Sequence, residues 1–524
     1  MELISLKYCI FVLALVICYY IVPKKHRWSV LLVGSMAYYV IVCKWYVGFI
    51  LFTIVSTYLI AVQIQKMLGA QNAVVKEHKA EWDRQTRREY KERGRKKRVA
   101  LLTLGLVLNF GILGFLKYVP FAEGWGLLLP LGISFYTFQS MGYLFDVYRE
   151  IVEPQRNILK FALFVSFFPQ IIQGPIAIYD KVAHQLYEGH SFSFTRTKRA
   201  LCLILWGVMK KLIIADRAAT IIKLVTADST QYSGTIVLIT ALTYAVQLYA
   251  DFSGGIDIVR GVGELFGITL PINFNCPYFS RSLTEYWHRW HMTLGDWCRN
   301  YIFYPLSISK KFMNFAKWLR PRFGDHISKV LPGCIASVIT FLVIGIWHGA
   351  NMKYVYFGLW NGIVIMISEL IAPARGNLAN AIFTKTRLKA QGAVATIVSV
   401  VWTWVMILVG YYFDIAKNAK DAMSMLVRSV TDFHITDCAP KAFIETLQST
   451  GLDGKDYMLL LISVGFWFCV SMYQERTGRE IRKVILIQKT SRRWAILLLG
   501  IFAVLLFGYY GPAVQPADFV YMQF

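Results

Sequence analysis

The stretch Glu285–Pro305, EYWHRWHMTLGDWCRNYIFYP, interleaves ionisable and aromatic side chains and carries His288 and His291. A third histidine, His348, follows 57 residues after His291, at the end of the charge-free run 330–347 and directly before Gly349. Imidazole changes charge near neutrality, so it suits proton transfer, and burial favours the neutral form that acts as a base. An equally ordinary reading of Trp347-His348 is a pair packed at a membrane interface. On one continuous helix Glu285, His288 and His291 would share a stripe. Glu-x-x-His is also half of a bundle-type di-iron motif, but the second half is absent. The other six histidines (His26, His78, His184, His190, His326 and His434) are dispersed, so no metal is expected. The glycine-rich segment from Asp251, DFSGGIDIVRGVG, follows an apolar span instead of a strand, which argues against phosphate binding. Asp251 and Asp257 are expected to cap or pair.

The rest of the chain has to position these groups in lipid. Of 524 residues, 56% are hydrophobic and only 17% charged, which is not a soluble composition. Runs such as Leu3–Val22, Trp45–Ile64, Val330–Trp347, Val394–Phe413 and Trp494–Tyr510 approach the roughly 20 residues that cross a bilayer as a helix. Backbone in lipid must pair with itself, so the fold class is an all-α polytopic membrane protein with about 11–13 transmembrane helices. From about residue 254 to 307 the apolar stretches shorten and Pro271, Pro277 and Pro305 interrupt them. Short in-plane or re-entrant helices around a cavity are expected there. The first apolar run lacks a basic leader and a cleavage site, and reads as a retained helix.

The net charge of +25 follows from basic loops and not from a nucleic-acid motif, so no nucleic-acid partner is expected. Residues 65–98 hold twelve Lys/Arg against five acids, 309–329 six against one, 373–390 four against none and 473–493 seven against two. All four are expected in the cytoplasm, and 65–98 reads as a solvated helical extension. Residues 414–454, with four bases and six acids, fit the opposite side. Alternation then puts both termini outside the cytoplasm. The nine cysteines lie scattered without CxxC pairs and read as packing residues. The expected organisation is 1–98, N-terminal helices with a basic loop; 99–372, a catalytic core; 373–511, C-terminal helices; and 512–524, an extracytoplasmic tail.

Pro130–Arg149, Phe167–Ile176, Gln247–Gly254, Asn273–Leu294 and Gly345–Ala350 together resemble, in order and spacing, the membrane-bound O-acyltransferase family in its bacterial, envelope-polysaccharide-acetylating branch. The resemblance implies that His348 is the principal catalytic histidine and His291 the second, in a tunnel joining the two membrane faces. His288 and Gly255-Ile256 depart from the family pattern, so no role is carried over to them. The terminal Phe519-Val520-Tyr521-Met522-Gln523-Phe524 is similar to a Phe-x-Tyr-x-x-Phe signature whose tyrosine is thought to carry the acyl group, which makes Tyr521 a candidate relay nucleophile.

The implied activity is plasma-membrane acyl transfer. Acetyl-CoA is the expected co-substrate and no cofactor is permanently bound. His348 acts as base, and His291 holds or polarises the thioester. The lipid bilayer, an extracytoplasmic acyltransferase and a polysaccharide acceptor are the expected partners. D-alanyl transfer to teichoic acid, a transporter without covalent chemistry and a structural scaffold are the alternatives.

Overall fold

The structure is a computed structural model that describes residues 3–119, 129–377, 392–511 and 519. Among them the regular elements are helices and turns, without strands, as an all-α polytopic membrane protein requires. Among the described residues seven segments are long and apolar enough to cross a membrane, and one of these, Lys24–Glu77, contains two α-helices. The apolar helical segments Leu6–Ile21 and Ile158–Gln173 are shorter. On the last long helix, Leu499, Phe502, Leu505 and Leu506 are exposed, a face that lipid covers at no cost.

The chain divides into two compact units, Met1–Ile204 with Val259–Pro271, and Leu205–Ile258 with Ile272–Phe524. In the first, α1 (Val47–Glu77) and α2 (Arg84–Tyr118) pack together and continue beyond their apolar parts. The basic 65–98 stretch is thus mostly helical, and Arg98 there donates to Gln71 Oε1 at 2.5 Å. This is the helical extension expected from sequence.

The second unit contains all the groups discussed below. Helix α3 (Phe194–Met209) runs into a π-helical turn, Lys210–Ala215, and then α4 (Asp216–Ala227). Helix α5 spans Gly234–Leu265. It therefore runs straight through the DFSGGIDIVRGVG segment, where short interrupted helices were expected to begin. The glycines serve packing here and do not break the helix. A Cβ on Gly207 would stand 2.5 Å from the Gly254 carbonyl oxygen, so only hydrogen fits between the two backbones. The change to short helices comes later: α6 (Leu283–Arg289), α7 (Met292–Cys298) and α8 (Tyr304–Ser307).

Helices α9 (Lys310–His348) and α10 (Met352–Leu370) form a hairpin that carries His348 at its tip. A Cβ on Gly345 or Gly358 would run into the carbonyl oxygens of Tyr354 and Phe341, and one on Gly362 would lie 2.9 Å from Val338 Cα. Lipid supplies no hydrophobic drive between helices, so close backbone contact through small residues is what holds such a pair. Gly358→Leu is expected to lower stability by about 1–3 kcal/mol through overpacking. An unchanged melting temperature in detergent would contradict this account of the hairpin.

Candidate active site

His291 owes its position to a break in the chain. Ser282 caps α6, accepting from Glu285 N at 3.1 Å. The helix ends at Trp290 in extended geometry, and His291 follows at φ 43°, ψ 53°, the left-handed region that non-glycine residues rarely enter. The preceding segment clamps this turn: Met292 N donates to Asn273 O at 2.9 Å and Asn275 N donates to Arg289 O at 3.0 Å. Buried Asn273 Oδ1 accepts from Thr293 N at 3.1 Å and Thr293 Oγ1 at 2.9 Å, and meets His291 Nδ1 at 3.1 Å. A conformation this costly persists because its surroundings over-determine it.

The break corrects the single helical stripe of Glu285, His288 and His291. His288 is exposed on α6, while His291, beyond the break, is buried. Glu285 pairs with Arg289 at 2.6 Å, Arg289 pairs with Glu475 at 2.6 Å, and Asp296 pairs with Arg299. These pairs hold the short helices as expected, but their side chains are partly exposed.

Because Asn273 Oδ1 already accepts from a backbone N–H, it is the oxygen, and His291 Nδ1 must donate to it. The lone pair then sits on Nε2. Burial pushes the His291 pKa down to about 3, with the nearby His348 acting in the same direction, so the ring is neutral at physiological pH. Trp347 neighbours both imidazoles, its ring centroid 6.4 Å from that of His291 and 5.0 Å from that of His348. His348 also stacks on Tyr354 at 5.9 Å and meets Phe357 edge-on at 5.5 Å.

Both histidines line one cavity of about 40 Å³. Its walls include Trp287, Trp290, Tyr286, Tyr411, Asn361 and Asp414. Asn361 Oδ1 accepts from Trp287 Nε1 at 2.9 Å, which ties α6 to α10. Tyr278 donates to Ala245 O at 2.6 Å, and its hydroxyl lies 3.0 Å from that of Tyr411, itself 2.9 Å from that of Tyr286. One proton per hydroxyl makes the chain directional: Tyr286 donates to Tyr411, and Tyr411 to Tyr278. Tyr244 donates to Asp414 Oδ2 at 2.5 Å.

Sequence reasoning missed Asn273, Tyr411 and Asp414. Asp414 was counted with the acidic loop 414–454, yet it lies in the last turn of α11 (Ala393–Ile415). Its signal was an acid directly following an uncharged span. Tyr521 lies outside the described residues.

The depressed His291 pKa has a thermodynamic consequence. With about 6.5 in the unfolded chain and about 3 in the fold, the neutral ring contributes stability fully above pH 6.5, and this is lost as pH falls toward 3. Each pH unit in that window costs about 1.4 kcal/mol. His291→Gln should therefore lose less stability than the native protein between pH 7 and pH 4, measured by thermal unfolding in detergent. Equal losses would remove His291 as the group responsible.

Residues 152–320 match the membrane-bound O-acyltransferase family. The chain is 30% identical to a peptidoglycan O-acetyltransferase of Helicobacter pylori over 62% of its length and 63% of the relative's. It is 28% identical to a probable alginate O-acetylase of Pseudomonas putida over 81% of its length and 84% of the relative's. With a teichoic acid D-alanyltransferase of Streptococcus thermophilus the identity is 28% over 48% of this chain and 60% of that one. The chain thus spans less than two thirds of the first and last of these relatives. By this match the chain carries a membrane-bound O-acyltransferase domain, with His291 inside the matched stretch and His348 beyond its end.

Proposed function

We propose that the protein is an O-acyltransferase that takes an acetyl group from acetyl-CoA on the cytoplasmic side. It delivers the group outside, where a partner acyltransferase esterifies a cell-envelope polysaccharide. The observation that carries this reading is the aromatic-walled cavity in which His291 and His348 stand together. One water needs about 10–15 Å³ of such space, so 40 Å³ accepts about three heavy atoms, the size of an acetyl group. The relatives' names, which include acetylation of peptidoglycan and of alginate, point the same way.

In the first step neutral His348 accepts the proton of a hydroxyl as its oxygen attacks the thioester carbonyl. The carbon–oxygen bond forms, the carbon–sulfur bond breaks, and the imidazolium returns the proton to the thiolate. Asp414, on the wall of the same cavity, stabilises the imidazolium. His291 has its lone pair at Nε2, so in this tautomer it accepts a hydrogen bond from a substrate hydroxyl or amide instead of polarising the thioester carbonyl. The accepting hydroxyl is that of Tyr521, in an extracytoplasmic tail, and the acetyl-tyrosine then serves the partner. A second reading, D-alanyl transfer, is favoured by one feature: an ammonium group would find a counter-charge in Asp414.

Labelled acetyl-CoA supplied to the cytoplasmic face of vesicles should place an acetyl ester on Tyr521, detected by mass spectrometry. His348→Ala should reduce the ester by about 10²–10⁴-fold, the scale of general-base catalysis, while His288→Ala leaves it unchanged. The same ester in His348→Ala, or none in the native protein, would end the relay. Asp414→Asn should slow acetyl transfer by about 10²-fold, the low end of the range for a removed electrostatic stabiliser. Transfer of labelled D-alanine in place of acetyl would favour the second reading.

A further inference from the structure

We infer that the buried lysine–aspartate cluster on the π-helical turn is a docking site for the chain's own C-terminal tail, with Phe519 as its anchor. Lys211 is 3% exposed, donates to Asp251 Oδ1 at 2.7 Å and forms an ion pair with Asp216 Oδ1 at 2.8 Å. Its neighbour Lys210 donates to Asp257 Oδ2 at 2.7 Å and to Ser253 Oγ at 2.8 Å. The ring of Phe519 covers Lys211, with Nζ 4.3 Å from the centroid, and Phe519 itself is only 5% exposed. Lys211 stands against two carboxylates, and a desolvated aromatic face is a favourable neighbour for the same charge.

The path of the tail supports this. A π-turn shifts the helical hydrogen-bond register and disturbs the pairing of its carbonyls. The Leu212 carbonyl, within the turn, accepts from Tyr509 N at 2.8 Å, just after α12 (Thr490–Phe507) ends. Arg217, one turn further on, donates to Phe507 O at 3.1 Å, pairs with Asp456 at 3.0 Å and lies over the Tyr509 ring at 5.4 Å. The same face therefore holds the start of the tail through Phe507 and Tyr509, and a later point of it through Phe519. The earlier expectation that Asp251 and Asp257 pair is met, but their partners belong to a surface that binds an aromatic side chain.

The consequence rests on the relay proposed above. Tyr521 is two residues from the anchor in the sequence. The encounter of its hydroxyl with the protein is already intramolecular, and anchoring raises its effective concentration further.

The test uses the full chain in proteoliposomes and follows hydrogen exchange of peptides covering residues 508–524. Phe519→Ala should raise tail exchange by about tenfold to thirtyfold, the worth of a desolvated cation–π contact. Mono-, di- and trifluorophenylalanine at position 519 should raise it stepwise, since fluorine drains the ring face while keeping its shape. Lys211→Met should match Phe519→Ala; if that variant fails to fold, the fluorinated series still decides. Unprotected exchange of the native tail, or exchange indifferent to fluorination, would overturn the anchor. The ester on Tyr521 is read separately. A protected tail without ester retains the anchor and sinks the relay, and an ester unaffected by loss of protection sinks the anchor's part in acyl transfer.

Discussion

Asn273 Oδ1 is the atom on which the site depends. Its contacts with His291 and Thr293 keep a left-handed residue between two short helices, and they also select the tautomer of His291. In water such a turn could be held by solvent. At membrane depth irregular backbone survives only where protein or trapped water satisfies it. The hydrogen bonds across residues 273–275 therefore do two jobs at once: they permit the break, and they aim an imidazole into the cavity.

A second constraint works with the first. Helices in lipid gain little from hiding apolar surface, so contacts without side chains hold them together. Gly207 against Gly254, and Gly345 and Gly358 in the α9–α10 hairpin, are such contacts. Those in the hairpin bring α10 close enough for Phe357 and Asn361 to wall the cavity, with His348 at the hairpin tip. Backbone proximity and site geometry are thus the same fact seen at two scales.

Charge placement follows from the cost of burying ions. The buried lysines of the π-turn each meet carboxylates, whereas the pairs around Arg289 stay part-exposed. Paired burial at this cost is weak as a source of stability. In a membrane protein such clusters mark function more often than architecture, which is why the cation beneath Phe519 is read as a docking point.

The helical, membrane-spanning class was legible in composition alone, because lipid allows few other ways to satisfy a backbone. His291 and His348 were legible too, as imidazoles that stand out in an apolar chain. Their neighbours were not. Asn273 looks like any loop residue and Asp414 like an outside charge, since their importance lies in which distant segments they meet. The packing role of the glycines after Asp251 was not legible either, because a single chain cannot reveal that another backbone lies against them. Residue chemistry and membrane solvation were set by the sequence by itself. The break at His291, its tautomer and the company of Asp414 were decided by tertiary structure, because each depends on hydrogen bonds or close packing between segments far apart in the chain.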